Sequence, residues 1–588
     1  RHPADPESLR RSVGALAAFG LTDIAVDAPW GAWESRRGAY DFALPDALLA
    51  AARSHGATAW LVSGPKYDAA GGRLPGSPLS LMGYSPWYLA AHPEAVLRSS
   101  AGEWEKECDG LFLDFAWVGP ARLTAVPAYL ADWRESLTAL VGRARTQGGL
   151  GGWFVSNMPV MGAGPDAVRH LGKPGLLGDN PVYREAFRNW LAERYGTPAR
   201  LAAAWGAGAP RTFADAEPPG AAEIDTTQRD PARRYRTAPA RAADWLAFRA
   251  AALAEGQEWQ AAAIRGLDPG RPAVAKWEEF DFGGPLDPEG YAPDAAGRAG
   301  SGPLAVDLAA DAAPQPLLTQ VQDLALSLAA GARRRIWLTN YGLRPGGLLS
   351  RDDRQDLLPP HAVPAYVWGA VLRGARGFFF REWADRTGPS SLAFPPRAGR
   401  STLALSDEGG AVAETGCVLR TLADAVSEAE PAAPRYGVLV SWPSQLFDDR
   451  SGWHPAALLH ALALAGLHDA DVVSADDLAS GAAARYSVLF APHVTRLPPG
   501  GAGALDAFVR AGGVLIADSY LGHGGGDDDP AAALPSPLRE LFGVRPRQGS
   551  AEAIGALTEP VFAERQPPVP LNLSWFAGSL PVEAEAGT

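Results

Sequence analysis

Residues 151–162 read GGWFVSNMPVMG, and residues 179–206 read DNPVYREAFRNWLAERYGTPARLAAAWG. The apolar run 153–155 in the first stretch is followed by a polar turn, which is how a buried parallel strand ends. In the second stretch, apolar residues recur at helical spacing over residues 183–194. The sequence therefore predicts that the chain passes from a strand into a helix at this point.

Strands and helices are predicted to alternate along residues 1–420. Apolar runs typical of strands occur at residues 22–27, 57–63, 110–115, 153–156, 272–280, 304–308, 335–340 and 377–383. Helical patterns lie between most of them, for example at residues 44–54, 127–145 and 245–265, and residues 207–244 are predicted to form a surface loop. This alternation predicts parallel β/α units, and about eight strands are what a closed (β/α)8 TIM barrel needs. We therefore predict an α/β fold with a TIM barrel over residues 1–420.

A second α/β pattern begins after a Pro- and Ala-rich joint at residues 428–435. Strand-like runs at residues 436–441, 471–473, 486–491 and 512–518 alternate with helical patterns at 455–467 and 503–511. Continuous apolar strands between helices are typical of a buried parallel sheet, so we predict a doubly wound domain over residues 436–570. Residues 571–588 are predicted to start a C-terminal β domain.

The segment from Asn157 through the following helix resembles glycoside hydrolase family 42, the β-galactosidases. Phe187, Trp190 and Tyr195 match its helix pattern Phe-x-x-Trp-Leu-x-x-x-Tyr-Gly, and residues 201–206 match its Leu-Asn-x-Ala-Trp-Gly pattern. Residues 33–42 and 86–102 are similar to further segments of that family, and residues 436–570 resemble its amidotransferase-like domain. The resemblance implies a barrel glycosidase that acts on a galactoside or related carbohydrate and assembles as a homo-trimer.

The same resemblance implies that both catalytic positions of the family are substituted. Met158 stands where the family has its general acid/base, and Asn340, or Thr339 after a slip of one residue, stands where it has its nucleophile. A thioether cannot exchange a proton with a leaving oxygen, and an amide cannot form a glycosyl ester. Two interpretations follow: a glycosidase whose carboxylates have moved, or a carbohydrate-binding protein without catalysis.

Three other glutamates follow predicted strands, namely Glu278, Glu279 and Glu382. Reactive groups of a barrel lie at the carboxyl ends of its strands. Since neighbouring residues on a strand face opposite sides, one of Glu278 and Glu279 is expected to face the barrel mouth. The alternative interpretation of these glutamates is a structural salt bridge to Lys276 or Arg381. If the protein is an enzyme, one of the first two glutamates and Glu382 are the candidate catalytic pair.

Aromatic rings and amides at the mouth suit a sugar, whose apolar face stacks on a ring while its hydroxyl groups bind polar atoms. The candidate substrate-binding residues are Trp33, Asn157, Met158, Trp277, Asn340, Tyr341 and Trp383. The alternative for each aromatic residue is core packing. For Trp190, Trp205 and Trp245, which lie on predicted helices, we favour core packing.

Charge and composition exclude several classes of ligand. The net charge of −13 and the lack of a basic stripe argue against nucleic acid, because such binding needs clustered Lys and Arg. The two cysteines, Cys108 and Cys417, make neither a metal pair nor a disulfide framework, and the Gly-rich runs lack the Lys-Ser/Thr ending of a phosphate loop. We predict no metal and no cofactor.

A membrane partner is also not expected. No stretch reaches about 18 uninterrupted apolar residues, and the first residues lack a basic start followed by an apolar core. The sequence therefore predicts neither a membrane span nor a signal peptide and favours a cytoplasmic location.

Overall fold

The computed structural model of this chain describes residues 6–64, 85–92, 127–155, 181–206, 208–220, 223, 239–277, 304–309, 336–342, 359–380, 393–394, 404–429, 433–447, 450–467, 469–498, 500–518, 520–522, 536–542, 544–546 and 582–584. Most of these residues lie in helices and strands. Of the helices within these ranges, none combines the length and the apolar character that crossing a membrane requires.

Seven parallel strands form one sheet in the order of the sequence. They are β1 (Asp23–Pro29), β2 (Thr58–Gly64), β3 (Leu150–Val155), β4 (Ala273–Trp277), β5 (Leu304–Ala309), β6 (Ile336–Gly342) and β7 (Ala375–Phe380). Each strand pairs in parallel with the next, and β1 and β7 also approach each other. The sheet therefore curls around an interior, as expected for a TIM-barrel-like fold.

Helices lie along the chain between and after these strands. In the first part of the chain they are α1 (Pro6–Ala18), α2 (Trp30–Trp33), α3 (Ala43–Ser54), α4 (Pro86–Ala91), α5 (Pro127–Ala144), α6 (Pro181–Tyr195), α7 (Pro198–Trp205), α8 (Pro239–Leu267) and α9 (Val363–Leu372). Phe213–Asp215 and Pro360–Ala362 form 3-10 turns, and Ala393–Phe394 (β8) pairs antiparallel with Ala404–Leu405 (β9). Helices α10 (Asp407–Thr421) and α11 (Ala423–Glu428) follow.

Aromatic rings fill the interior of the curled sheet. The Trp60 ring on β2 lies 5.2 Å from the Trp337 ring on β6 and 5.7 Å from the Phe379 ring on β7. Phe154 on β3 also contacts Phe379, at 4.9 Å between ring centroids. In each of these contacts the two strands are not neighbours in the sheet, so their side chains meet across its interior. With Val62 and Val274 they form one apolar cluster, which we call the interior ring layer.

Each tryptophan of the interior ring layer rests against a glycine on the next strand. A Cβ atom added to Gly152 on β3 would lie 2.3 Å from the Trp60 ring, and one added to Gly377 on β7 would lie 2.9 Å from Trp337. Real Cβ atoms do not approach neighbouring atoms this closely, so both positions require the absence of a side chain. Gly152, the second glycine of the stretch at residues 151–162, therefore has a packing role.

We expect Gly152→Ala to lower the free energy of unfolding by about 1–3 kcal/mol, because the new methyl group must displace a ring in a filled interior. Urea denaturation followed by tryptophan fluorescence measures this change. Gly142→Ala is the matched control, since Gly142 lies in α5 and a Cβ there meets nothing within 4 Å. That variant is expected to be neutral or slightly more stable. Equal stability of the two variants would contradict the packing role of Gly152.

The later part of the chain contains a second parallel sheet. Its strands are β10 (Tyr436–Val440), β11 (Ala470–Ser474), β12 (Val488–Ala491) and β13 (Val514–Ala517), in the spatial order β11-β10-β12-β13. They alternate with α12 (Trp442–Phe447), α13 (Arg450–Leu464), two 3-10 turns (Ala475–Ser480 and Ala482–Arg485) and α14 (Gly501–Arg510). Parallel strands in this order are those of a doubly wound sheet, as predicted.

Two short strands end the described part of the chain. After α15 (Ser536–Phe542), β14 (Val544–Pro546) pairs antiparallel with β15 (Val582–Ala584). The predicted C-terminal segment 571–588 thus contains a strand that pairs with residues of the predicted second domain. The domain boundaries at residues 1–420, 436–570 and 571–588, the amidotransferase-like assignment and the further β domain stay predictions.

A buried carboxylate on β11 makes the stability of the second sheet depend on pH. Asp471 is 8% exposed, and its Oδ2 accepts hydrogen bonds from Arg485 (3.3 Å) and from the Tyr486 hydroxyl (3.2 Å). Burial raises the pKa of Asp471 to about 6, although Arg485 acts in the opposite direction. The unfolded carboxyl has a pKa of about 3.9. Between these values the folded state binds more protons, so its stability falls as the pH rises.

When the pH is lowered from about 7 to about 5, we expect the free energy of unfolding of the wild type to rise by about 1 kcal/mol relative to that of the Asp471→Asn variant. The reason is that only the wild type takes up a proton at this position on folding. Urea denaturation of both proteins at the two pH values measures this difference. Asp424→Asn, at an exposed position on α11, controls for the loss of one negative charge. A pH-independent difference between wild type and Asp471→Asn would contradict the prediction.

One predicted feature of the barrel differs from the structure. The strand predicted at residues 110–115 lies outside the described residues and stays a prediction, while β2 pairs directly with β3 from Ala59 to Ser63. The helix predicted to begin at residue 245 begins at Pro239, and the preceding segment contains a 3-10 turn, so the predicted loop 207–244 is shorter. The predicted extent of the loop was wrong because Ala-rich sequence from Pro239 onward continues the helix.

Candidate active site

Three of the predicted site residues lie at the carboxyl edge of the seven-stranded sheet. Trp277 is the last residue of β4, and Asn340 and Tyr341 lie near the carboxyl end of β6. Parallel strands end at the same edge, which is where barrel enzymes carry their reactive groups. The backbone therefore brings these three residues to one edge, while their roles in substrate binding stay predictions.

The remaining predicted residues at this edge lie outside the described residues. They are Asn157, Met158, Glu278, Glu279, Glu382 and Trp383. Each follows a described strand within three residues, since β3 ends at Val155, β4 at Trp277 and β7 at Phe380. Their roles in binding or catalysis stay predictions.

The interior ring layer indicates which positions of each strand face inward. Val274 on β4 and Phe379 on β7 belong to this layer, whereas their neighbours Ala275 and Phe378 pack in the cluster on the helix side. Side chains alternate along a strand. Counting in steps of two from Val274 predicts an inward Glu278 and an outward Glu279. The same count from Phe379 predicts an outward Glu382, so Glu382 reaches the mouth only if the chain bends after Phe380.

Thr339, the neighbour of Asn340 on β6, is the alternative for the family's nucleophile position after a slip of one residue. It is 1% exposed, and it lies two residues after the inward-facing Trp337 on β6. Leu338 between them packs on the helix side. By alternation Thr339 therefore faces inward. Its hydroxyl is no carboxylate, and whether Thr339 or Asn340 corresponds to the family's nucleophile stays a prediction.

Trp33 packs in the apolar core instead of presenting an open ring. It is 2% exposed, its Nε1 donates a hydrogen bond to the Ala28 carbonyl (3.1 Å), and its ring stacks on Phe42 at 6.1 Å. Its cluster contains Leu48 and Leu49 of α3, on the outer side of β1 and β2. Core packing thus describes Trp33 in this structure, and a contact with sugar stays a prediction.

Glu34 is a buried carboxylate that is not among the predicted site residues. It is 1% exposed, and its carboxylate accepts hydrogen bonds from Trp30 Nε1 (2.6 Å), the Ser136 hydroxyl (2.5 Å) and the Gly38 backbone N–H (2.9 Å). Its backbone carbonyl accepts a hydrogen bond from Ser85 (2.5 Å). These contacts join α2, the following turn and α5, so Glu34 holds the segment after β1 in place.

The helix motif that carries the family resemblance surrounds a second buried carboxylate, Asp244 on α8. Tyr195 and Trp205 each donate a hydrogen bond of 2.7 Å to its Oδ2, and Arg194 lies 3.3 Å from its Oδ1. Burial raises the pKa of Asp244, and it raises the pKa of Tyr195 as well. The motif therefore fixes α6 and α7 against α8 and is structural. Trp190, Trp205 and Trp245 pack in the same apolar cluster, which confirms core packing for all three.

Comparison with solved structures identifies the fold. The chain is similar to the β-galactosidase from Rahnella sp. R3, with 18% identity, 94% of this chain and 74% of that chain covered, and a TM-score of 0.65. It is similar to the β-galactosidase from the haloarchaeon Halorubrum lacusprofundi, with 18% identity, coverages of 94% and 77%, and a TM-score of 0.67. It is also similar to a family 42 β-galactosidase from G. stearothermophilus, with 16% identity, coverages of 94% and 76%, and a TM-score of 0.67.

No protein-family model and no curated protein matches this sequence. At identities of 16–18% the solved structures show the fold alone. The chain therefore has a TIM-barrel-like fold similar to that of the family 42 β-galactosidases.

Proposed function

We propose that this protein is a glycoside hydrolase of the β-galactosidase type, which hydrolyses a terminal galactoside or a related glycoside. The observation that carries the proposal is the likeness to β-galactosidases over 94% of the chain, with TM-scores of 0.65–0.67. The curled parallel sheet supports it, since its carboxyl edge is where a barrel enzyme binds substrate. The acidic overall charge fits a neutral carbohydrate better than a polyanion.

The proposed chemistry needs two carboxyl groups on opposite sides of the glycosidic bond. A retaining enzyme places them about 5–5.5 Å apart, and an inverting enzyme about 6.5–9.5 Å apart. The proposed pair is one of Glu278 and Glu279, with Glu278 favoured by the alternation along β4, together with Glu382. One carboxyl group protonates the leaving oxygen, and the other attacks the anomeric carbon or activates water.

The proposed substrate contacts come from the same edge of the sheet. The proposed ring contacts to the apolar face of the sugar are Trp277, Tyr341 and Trp383, and the proposed amide contacts to its hydroxyl groups are Asn157 and Asn340. The alternation that favours Glu278 places Trp277 on the helix side of β4, so Trp277 would reach the sugar only beyond a bend at the end of that strand. Met158 completes the proposed set as an apolar contact where the family has its acid, and Trp33 is the predicted contact that the structure does not favour, because its ring packs in the core. We further propose that the domain at residues 436–570 mediates assembly of a homo-trimer, which sedimentation equilibrium would test by the molecular mass in solution.

A panel of nitrophenyl glycosides tests the proposed activity. We expect release of nitrophenol from the β-galactoside at a higher kcat/KM than from the β-glucoside and β-mannoside. The Glu278→Gln variant serves as the control for contaminating activity. No hydrolysis of any panel member, together with binding of galactose in isothermal titration, would refute the hydrolase and favour a carbohydrate-binding protein without catalysis.

A further inference from the structure

A group of potential metal ligands lies at the carboxyl edge of the second sheet. His493 lies two residues after the end of β12, Asp518 directly follows β13, and His454 lies on α13. Ligands of doubly wound domains bind outside the carboxyl ends of the strands, next to the point where the strand order reverses. In the order β11-β10-β12-β13 this point lies between β10 and β12, so His493 adjoins it.

The three side chains converge on one point. One ligand atom from each residue lies within 4.8 Å of the other two. The rings of His454 and His493 are 4.7 Å apart at an angle of 66°, and the two residues are 6% and 1% exposed. The Asp518 side chain is 35% exposed. Two buried imidazoles and a solvent-accessible carboxylate therefore form a group that an ion can enter from one side.

The backbone at His493 is held in a conformation that aims its ring at this group. Its φ of 53° is the only positive value among the described residues other than glycine, and such a conformation costs an L-residue about 1–2 kcal/mol. The His493 N–H donates a hydrogen bond to Asp518 Oδ2 (2.7 Å), and its carbonyl accepts one from Ser451 (2.8 Å). Asp518 and the helix that carries His454 thus fix the turn from both sides.

The carboxylate is itself held in place. Asp518 Oδ1 accepts a hydrogen bond of 3.0 Å from the Tyr520 backbone N–H, and the Tyr520 ring lies 4.4 Å from the His493 ring. Metal ligands are typically oriented by such outer contacts, which lower the entropy lost when an ion binds. The arrangement is therefore largely formed before any ion arrives.

We propose that His454, His493 and Asp518 bind one divalent transition-metal ion, with Zn²⁺ the best match. Imidazole nitrogen and carboxylate oxygen are ligands that Zn²⁺ prefers, and three protein ligands leave a fourth tetrahedral position for water. In a tetrahedral site, metal–ligand bonds of about 2.0–2.1 Å place the ligand atoms about 3.3 Å from one another. The ligand atoms of this group lie within 4.8 Å of one another, so side-chain rotations would bring them to bonding distance of one ion. The ion would join α13 to the ends of β12 and β13.

Metal titration of the full chain tests this proposal independently of glycosidase activity. The chain is stripped with a chelator and titrated with Zn²⁺ against a chromophoric competitor, and with Co²⁺ by its visible absorption. We expect one tight site per chain and the intense bands of tetrahedral Co²⁺. His454→Gln and His493→Asn should each weaken this site by at least about 100-fold, more than the loss of an outer contact typically does.

The substitutions are chosen so that a loss of metal binding reports the loss of a ligand and not a loss of folding. Asn tolerates the left-handed backbone, so His493→Asn removes the imidazole without opposing the turn. His361→Gln is the matched control, since His361 is exposed in the 3-10 turn Pro360–Ala362, and it should bind as the wild type does. Circular dichroism confirms that each variant is folded. Absence of saturable binding, or wild-type affinity in the two folded ligand variants, would overturn the proposal.

Discussion

Replacing Glu278 or Glu382 with Gln is expected to abolish the hydrolysis of the preferred nitrophenyl galactoside, with a loss in kcat of about 10²–10⁴-fold for each. An amide has nearly the shape of the carboxyl group but neither donates its proton to the leaving oxygen nor forms a glycosyl ester. KM should change little, because the sugar contacts remain. Steady-state kinetics of the purified variants measure both constants.

Glu279→Gln is the matched control for the first substitution. It changes the same chemical group one residue away, and the alternation from Val274 predicts that this side chain faces the helices. Activity near the wild-type level in Glu279→Gln and a large loss in Glu278→Gln would support the proposed orientation, and the reverse result would assign the role to Glu279. Wild-type rates in both variants, or in Glu382→Gln, would remove those residues from the mechanism.

Glu34→Ala is expected to lower the free energy of unfolding by about 3–4 kcal/mol, the largest stability effect that we predict. The substitution leaves the Trp30 indole N–H and the Ser136 hydroxyl, both 1% exposed, without their acceptor. Each buried donor that loses its partner costs about 1–3 kcal/mol, and the shortened side chain leaves a cavity. Urea denaturation of the purified variant measures the change.

Glu135→Ala is the control for Glu34. Glu135 lies on α5 next to Ser136 and pairs with Arg37 at 3.2 Å, but 55% of its side chain is exposed. Exposed ion pairs contribute about 0–1 kcal/mol, so this variant should be close to the wild type. A loss below about 1 kcal/mol in Glu34→Ala would contradict the role of Glu34 as a buried anchor.

Strands were the features most accurately predicted from the sequence. The apolar runs at residues 22–27, 304–308 and 335–340 correspond to β1, β5 and β6 with bounds that differ by two residues or fewer. Strands that are buried on both faces consist of continuous apolar residues, so composition alone reveals them. The TIM-barrel-like fold follows from their alternation with helices and agrees with the solved structures.

Contacts between distant parts of the chain were not predictable in this way. Ser136 binds Glu34 across 102 positions, and His454, His493 and Asp518 come from three separate elements. Each of these residues is an ordinary polar residue in its local sequence. Only the packing of α5 on the segment after β1, and the shared edge of β12 and β13, brings them together. The local signals of the ligand group were a histidine two residues after β12 and an aspartate directly after β13.

The interior ring layer has a consequence for how such a chain diverges. The rings of this layer fill the interior of the curled sheet within the length of its strands; they are Trp60, Phe154, Trp337 and Phe379. This layer and the larger apolar clusters between the sheet and its helices are built from residues within the strands and helices. A scaffold stabilised in this way can keep its architecture while residues beyond its strand ends are exchanged.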